Sequence, residues 1–327
     1  MLKYILKRIG YMVVVLFIIS TFLFWLYRQI PGDPARMLMG DTTGMSPEAV
    51  EDLYLQIRHI MGLDYPVFVQ YVRWMFNMAT GELGVSMHYR RPVLDVIRTP
   101  IFWTVVLNVT VMVIVFFITI PAGIMSAVKR GSVLDNSTLV VTVIGLSIPT
   151  FLIAMIFMVV FAVFLGWLPM TGMHTPLIPE GQWAQLVDRA RHMVLPVMAI
   201  VVGGMGPMTR IVRAAMCDAL TEDYVRTARA KGLTEKVVIY SHAFRNALIP
   251  LVTAITGWFM GIFGGSVVIE SLFSWSGMGQ VMLNSLMRTD YAVAMAMQVF
   301  YALVSLVAIL LMDLIYGLVD PRIRVAS

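Results

Sequence analysis

The sequence predicts an all-α membrane protein with six transmembrane helices. Of 327 residues, 59% are hydrophobic and only 13% charged, whereas a soluble domain keeps roughly a quarter or more of its surface charged. The apolar residues also gather into runs at 9–27, 102–128, 139–167, 194–208, 251–269 and 292–318, and a helix needs about 20 such residues to cross a ~30 Å hydrocarbon core. Because these runs are spread along the chain, one membrane bundle with a loop insertion accounts for its length.

The first run follows Lys3, Lys7 and Arg8 and ends without a small-residue cleavage site, so it is read as a retained helix with its N-terminus inside. Six crossings then place Lys129, Arg130, the seven Lys/Arg from Arg210 to Arg245, Arg322 and Arg324 together on the cytoplasmic side. The segment from Arg28 to Arg98 is outside. It also holds seven Lys/Arg, but loops longer than about 60 residues cross largely regardless of charge. Within it, Ser46-Pro47-Glu48 reads as N-cap, first-turn proline and first-turn acid of a helix, with Val50, Leu53, Tyr54, Ile57 and Met61 on one face before Gly62. A second amphipathic stretch from Pro66 to Met78 carries Phe68, Tyr71, Val72 and Met75 at helical spacing, and packing on the bundle is favoured over lying on the membrane surface.

In the later runs, Gly257, Gly261 and Gly265 recur every fourth residue and offer a small face for close packing, while Pro149, Pro196 and Pro207 are expected to break helices locally. The fourth run is the shortest. Asn108, Thr110, Ser147 and Thr150 are available either to line a polar pathway or to bond between helices. No internal repeat is visible, so a fold of inverted repeats is not indicated.

Several chemistries are excluded. There is no phosphate-binding G-x-x-x-x-G-K-[ST] loop, no paired-histidine zinc motif and no G-x-S-x-G elbow, so the chain is read as a non-enzyme without a cofactor or metal of its own. Cys217 stands alone, so no intramolecular disulfide forms. The 27 methionines are scattered as apolar filler. The net charge of +5 sits at the ends of apolar runs, which fits topology rather than nucleic acid. The span interiors hold no Asp, Glu, Lys, Arg or His, with Glu270 and Asp313 near span ends, which disfavours an ion-coupled carrier.

Between the fourth and fifth runs, Thr221 to Gly232 reads as a short capped helix. Thr221 is its expected N-cap, Glu222 and Asp223 complement the dipole, and Gly232 supplies a left-handed stop. Thr234-Glu235 is expected to start a second helix running to Pro250. Small residues Ala228 and Ala230 would let a partner approach closely, with Arg226, Arg229 and Lys231 as polar anchors. On these grounds alone a docking helix and an ordinary charged connector are equally supported.

The segment Asp223-Tyr224-Val225-Arg226-Thr227-Ala228-Arg229-Ala230-Lys231-Gly232-Leu233, followed by His242-Ala243-Phe244-Arg245-Asn246-Ala247-Leu248-Ile249-Pro250, resembles the EAA loop of the dipeptide/oligopeptide ABC transporter permease family. Ala228 and Gly232 match the loop's alanine and glycine. Arg226 and Thr227 stand where the general motif has Glu and Ala, and Pro250 comes later than its proline. The resemblance extends to Ile30-Pro31-Gly32-Asp33-Pro34-Ala35, Gly81-Glu82-Leu83-Gly84-Val85-Ser86, Arg91-Pro92-Val93, Phe273-Ser274-Trp275-Ser276-Gly277-Met278-Gly279 and Asp320-Pro321-Arg322-Ile323-Arg324. Ser276 replaces the usual proline, Met278 a leucine, and Ala292 a proline.

The resemblance implies a type I ABC importer permease fold: an N-terminal transmembrane helix (1–30), an extracytoplasmic segment (31–100) and a permease core (101–327) with a cytoplasmic coupling loop at 210–249. It implies a bacterial inner-membrane protein with both termini cytoplasmic. The expected partners are a second homologous permease subunit, two cytoplasmic ABC ATPases that bind the ATP and Mg, and an extracytoplasmic substrate-binding protein. Asp223, Tyr224, Arg226, Thr227, Ala228, Arg229, Lys231 and Gly232 are the expected ATPase-coupling residues. Di- or oligopeptides are the expected cargo, with nickel, glutathione or sugars as alternatives inside the family. A channel or scaffold subunit working without an ATPase is the alternative outside it.

Overall fold

A computed structural model describes residues 2–30 and 32–319; Pro31 and the 320–324 motif lie outside the described residues. In chain order the helices are α1 (Leu2–Arg28), α2 (Pro34–Leu38), α3 (Pro47–Ile60), α4 (Val67–Thr80), α5 (Val93–Val128), α6 (Val133–Ser147), α7 (Thr150–Phe157), α8 (Gln182–Thr221), α9 (Asp223–Ala230), α10 (Glu235–Val237), α11 (Arg245–Gly264), α12 (Val267–Leu272), α13 (Met278–Met287) and α14 (Tyr291–Val319). Two π-helical segments, Met158–Phe164 and Val238–Phe244, extend α7 and join α10 to α11. The fold is all-α. Among the described residues five helices are long and apolar enough to cross a bilayer, and the pair α6–α7 with its π extension makes six if it counts as one span.

The third span, from the apolar run at 139–167, breaks at Pro149 as expected. It is bent by 96° between Val133–Ser147 and Thr150–Phe164, because Pro149 has no N–H to donate and pushes Ile148 into an extended conformation (φ −94°, ψ 123°). Pro196 and Pro207, in contrast, sit inside the 40-residue α8, so neither breaks its helix and the fourth span is far from short. In lipid an opened backbone group has no water to bond, so neighbouring helices keep a proline-containing helix intact.

The chain divides into two compact units, one of residues 1–100 with 281–306 and one of residues 101–280 with 307–327, the boundaries falling inside α5, α13 and α14. In the first unit, the N-cap reading of Ser46 holds: its hydroxyl accepts from Ala49 N at 3.2 Å. Helix α4 packs on α1, as expected. The Tyr71 ring lies edge-on to Phe24 at 5.3 Å and its hydroxyl meets Thr21 Oγ1 at 2.7 Å. Only half of the expected stripe is used, for Phe68 and Val72 remain exposed while Trp74 joins the contact. The end of the family-like segment Gly81–Ser86 is bound to the start of α14 here. Buried Asp290 accepts from the Ser86 hydroxyl and from the backbone N–H of His88 and Met87, at 3.2 and 3.3 Å for the two amides.

In the second unit α8 packs against α6, α7 and α11. Its small residues make the approach possible. A Cβ at Gly206 would sit 2.7 Å from the Thr142 carbonyl oxygen, one at Gly203 2.7 Å from Thr150 Oγ1, and one at Gly204 2.6 Å from the Trp258 ring. The close-packing face expected at Gly257 and Gly261 is not used within this chain, since a Cβ at either would meet nothing within 4 Å. Gly265 instead ends α11 at φ +63°. Helices α6, α7 and α8 line an open cavity of about 660 Å³ whose lining includes Val141, Ile148, Ile156 and Met205. Its threonines Thr138, Thr142 and Thr209 donate to carbonyls of their own helices, so the cavity is apolar.

Gly206→Ala should therefore lower the melting temperature of the detergent-purified protein, at a cost of roughly 1–3 kcal/mol for an overpacked backbone contact. Gly257→Ala should leave the melting temperature of the isolated chain unchanged.

Candidate functional site

Helix α9 forms because Glu222 takes an extended N-cap conformation (φ −72°, ψ 151°) and Asp223 opens the first turn with a negative charge facing the helix dipole. Thr221 is not the N-cap. It closes α8, and its hydroxyl donates to Asp218 O at 2.8 Å. The stop falls where expected: Gly232 has φ +75° and its N–H donates to Arg229 O at 2.9 Å, a left-handed turn that a Cβ would strain.

Spacing of three residues divides the helix. Val225 (0% exposed) and Ala228 (4%) point into the same buried cluster as Met216, Ala219, Val238, Ala243 and Ala247. Ala228 is therefore an anchor to this chain's own core and not a surface for a partner, which corrects the expectation drawn from its size. Asp223, Tyr224, Arg226, Thr227, Arg229, Ala230, Lys231 and Gly232 face outward. Together they make a short ridge of mixed charge around one aromatic ring. Arg226 and Asp223 pair loosely at 3.4 Å with both side chains largely exposed, so the pair adds little stability.

The ridge is locked from below. Arg229 forks onto Glu235 at 2.7 and 3.2 Å, tying α9 to the start of the next helix, and the guanidinium holds the Glu235 carboxyl below its usual range. That next helix does not end at Pro250: α10, the π segment Val238–Phe244 and α11 run on as far as Gly264. A movement of α9 is thereby connected by continuous helix to the fifth span. The other end of α9 joins α8 directly.

A second lock lies at the start of α6. Arg213 on α8 donates through Nε and Nη2 to the two carboxylate oxygens of buried Asp135 at 2.6 and 2.8 Å, and Asp135 also accepts from the Ser126 hydroxyl and from Gly131 N at 2.9 Å. One carboxylate so fixes the turn between α5 and α6 to α8. A third buried carboxylate, Glu270, organises the Phe273-to-Gly279 motif: it accepts from Thr104 Oγ1 at 2.8 Å, Gly279 N at 2.6 Å and Gln280 N at 3.2 Å. A Cβ at Gly277 would lie 2.5 Å from this carboxylate, which explains a glycine there. Sequence reasoning missed Asp135, Arg213 and Thr104 and placed Glu270 merely at a span end. Partners 78 and 166 residues apart leave no local spacing to read.

Three of the four polar residues weighed as pathway lining bond to helix carbonyls. Asn108 donates to Ile262 O and Gly261 O at 3.0 and 3.2 Å, while Thr110 and Ser147 bond to carbonyls of their own helices. No group of three or more His, Cys, Asp or Glu side chains comes together among the described residues.

The family model described as binding-protein-dependent transport system inner membrane component matches residues 119–325, and its N-terminal companion matches residues 1–108. The chain belongs to this family. It is an ABC importer permease subunit and a multi-pass inner-membrane protein, which sets aside the channel or scaffold reading. It is 36% identical to the glutathione transport system permease protein GsiC of Escherichia coli over 324 residues, 99% of each chain, and equally to that of Shigella dysenteriae. A structure of the MetNI methionine ABC transporter in inward-facing form shares the type I importer permease fold, with TM-score 0.54 at 18% identity over 69% of this chain and 97% of that one.

Arg213→Gln should destabilise the permease by about 3 kcal/mol, because it leaves a buried carboxylate without its cation. Thermal unfolding in detergent measures the loss. Arg226→Gln, which breaks only an exposed pair, should leave the transition in place.

Proposed function

We propose that this chain forms half of the pathway of an ATP-driven importer of short peptides, including tripeptides such as glutathione, and that the ridge on α9 is the surface gripped by a cytoplasmic ABC ATPase. The observation that carries the coupling assignment is the division of α9. Two buried residues, Val225 and Ala228, bind it to this chain, and the other seven residues that the EAA-loop resemblance marks for coupling face outward. Around it the reading places a second homologous permease subunit, two ATPases that bind ATP and Mg, and an extracytoplasmic binding protein, with both termini on the ATPase side. The peptide class is supported by full-length similarity to permeases of a glutathione transport system. Nickel and sugar cargo remain as comparison substrates.

In this mechanism closure of the ATPases around nucleotide displaces α9 as a rigid piece. The Arg229–Glu235 fork and the uninterrupted helix beyond it carry the displacement into the fifth span, and the direct junction with α8 carries it into the fourth. The spans then rock from inward- to outward-facing access.

ATP-driven uptake of labelled di- to pentapeptides and glutathione, with Ni²⁺ for comparison, in proteoliposomes holding the permease with its partner subunits tests the proposal. Peptide uptake that requires ATP is expected. Gly232→Arg should abolish that uptake without loss of assembly, because it adds bulk and charge to the ridge at a left-handed position; normal ATP-dependent import by this variant would refute the coupling assignment.

A further inference from the structure

We propose that the outer end of the first span carries a phospholipid headgroup site, in which Arg28 and Arg58 hold the lipid phosphate. The inference needs only the membrane setting and not the peptide-import reading. In the first compact unit a polar pocket of about 320 Å³ is lined by Tyr27, Arg28, Asp33, Arg58 and Tyr291 among others. Both guanidiniums retain donors. Arg28 gives one N–H to Gln70 Oε1 at 2.8 Å, and Arg58 gives one to Asp64 at 2.8 Å and one to the Tyr54 hydroxyl at 3.1 Å, whereas each carries five. The pocket also contains Asp33, but its two oxygens already accept from the Tyr54 hydroxyl at 2.6 Å and from Ala35 N at 2.9 Å. Those bonds tie the carboxylate to Tyr54 on α3 and to the start of α2 and keep it ionised, below its usual titration range, so the pocket sets one negative charge against two guanidiniums. The Tyr291 hydroxyl is buried and has no hydrogen-bond partner among the described residues, a cost that an incoming acceptor oxygen removes.

The position selects a lipid. From Arg8 to Arg28 the helix rises roughly 30 Å, the thickness of the hydrocarbon core, so the two cations sit at opposite headgroup levels. Trp25 and Tyr27 occupy the last turn, where interfacial aromatics gather. Along the same helix Phe17, Ile18, Phe22 and Trp25 are exposed within this chain and offer an apolar face to acyl chains. A bilayer presents phosphodiesters at this depth at high local concentration, and paired guanidiniums match their geometry and charge.

Native mass spectrometry of the full chain, purified in detergent with its partner subunits and titrated with phosphatidylglycerol or with inorganic phosphate, tests the site. Arg28→Gln should weaken retention of one phosphatidylglycerol by about tenfold, the loss of a charge-assisted contact, and Arg28→Lys should restore part of it. Equal phosphatidylglycerol retention by wild type and Arg28→Gln would overturn the proposal. Inorganic phosphate binding as tightly as the lipid would overturn the lipid source and leave a free-anion site. If Arg28→Gln fails to fold, Tyr291→Phe decides: it removes a single oxygen, and weaker retention is expected while unchanged retention refutes the site.

Discussion

Direct backbone contact along α8 is the constraint on which the second unit depends. Lipid tails are as apolar as leucine side chains, so burying apolar surface between helices gains little, and close approach has to supply the attraction. Gly203, Gly204 and Gly206 supply it by giving Thr150, Trp258 and the Thr142 carbonyl room that any side chain would fill. Because both arms of the bent third span press on α8, these glycines also fix where the bend sits. The Asp135–Arg213 fork then holds the end of that span which the glycines do not reach.

The fold was legible wherever the signal was local. Apolar runs located the spans, Ser46 announced its helix, and Gly232 marked the end of α9 because only a residue tolerant of positive φ turns there without strain. Prolines were legible only in part, since Pro149 breaks its helix as expected, with a 96° bend, while Pro196 and Pro207, expected to do the same, lie within α8 and Pro250 lies within α11. Exposure does not separate the two outcomes, for Pro196 is buried while Pro149, Pro207 and Pro250 are all exposed, and a run of residues carries no record of the neighbours that hold its backbone. Glycine periodicity misled for the same reason. The regular Gly257 and Gly261 spacing faces open space in this chain, whereas the irregular Gly203, Gly204 and Gly206 group makes the contact.

At α9 the sequence placed the helix and its stop but not its inner face. Val225 and Ala228 are three apart and small or apolar, a pattern equally fit for a partner or a core, and only the cluster they enter decides. Buried carboxylates were the least legible feature. Asp135, Glu270 and Asp290 each gather donors from turn backbone and from side chains, so that three turns are each ordered around one acid. Such groups tolerate burial because every oxygen is bonded.

The central claim is that the outward face of α9 is what the ATPase grips. Photo-crosslinking from an amino acid placed at Thr227, in an assembled complex that hydrolyses ATP, tests it most directly. The account predicts a crosslink to the ATPase from Thr227 and from Lys231, with none from a probe at Asp52 in the segment that the sequence reading expects outside the cell membrane. An active complex giving no ATPase crosslink from either ridge position would contradict it.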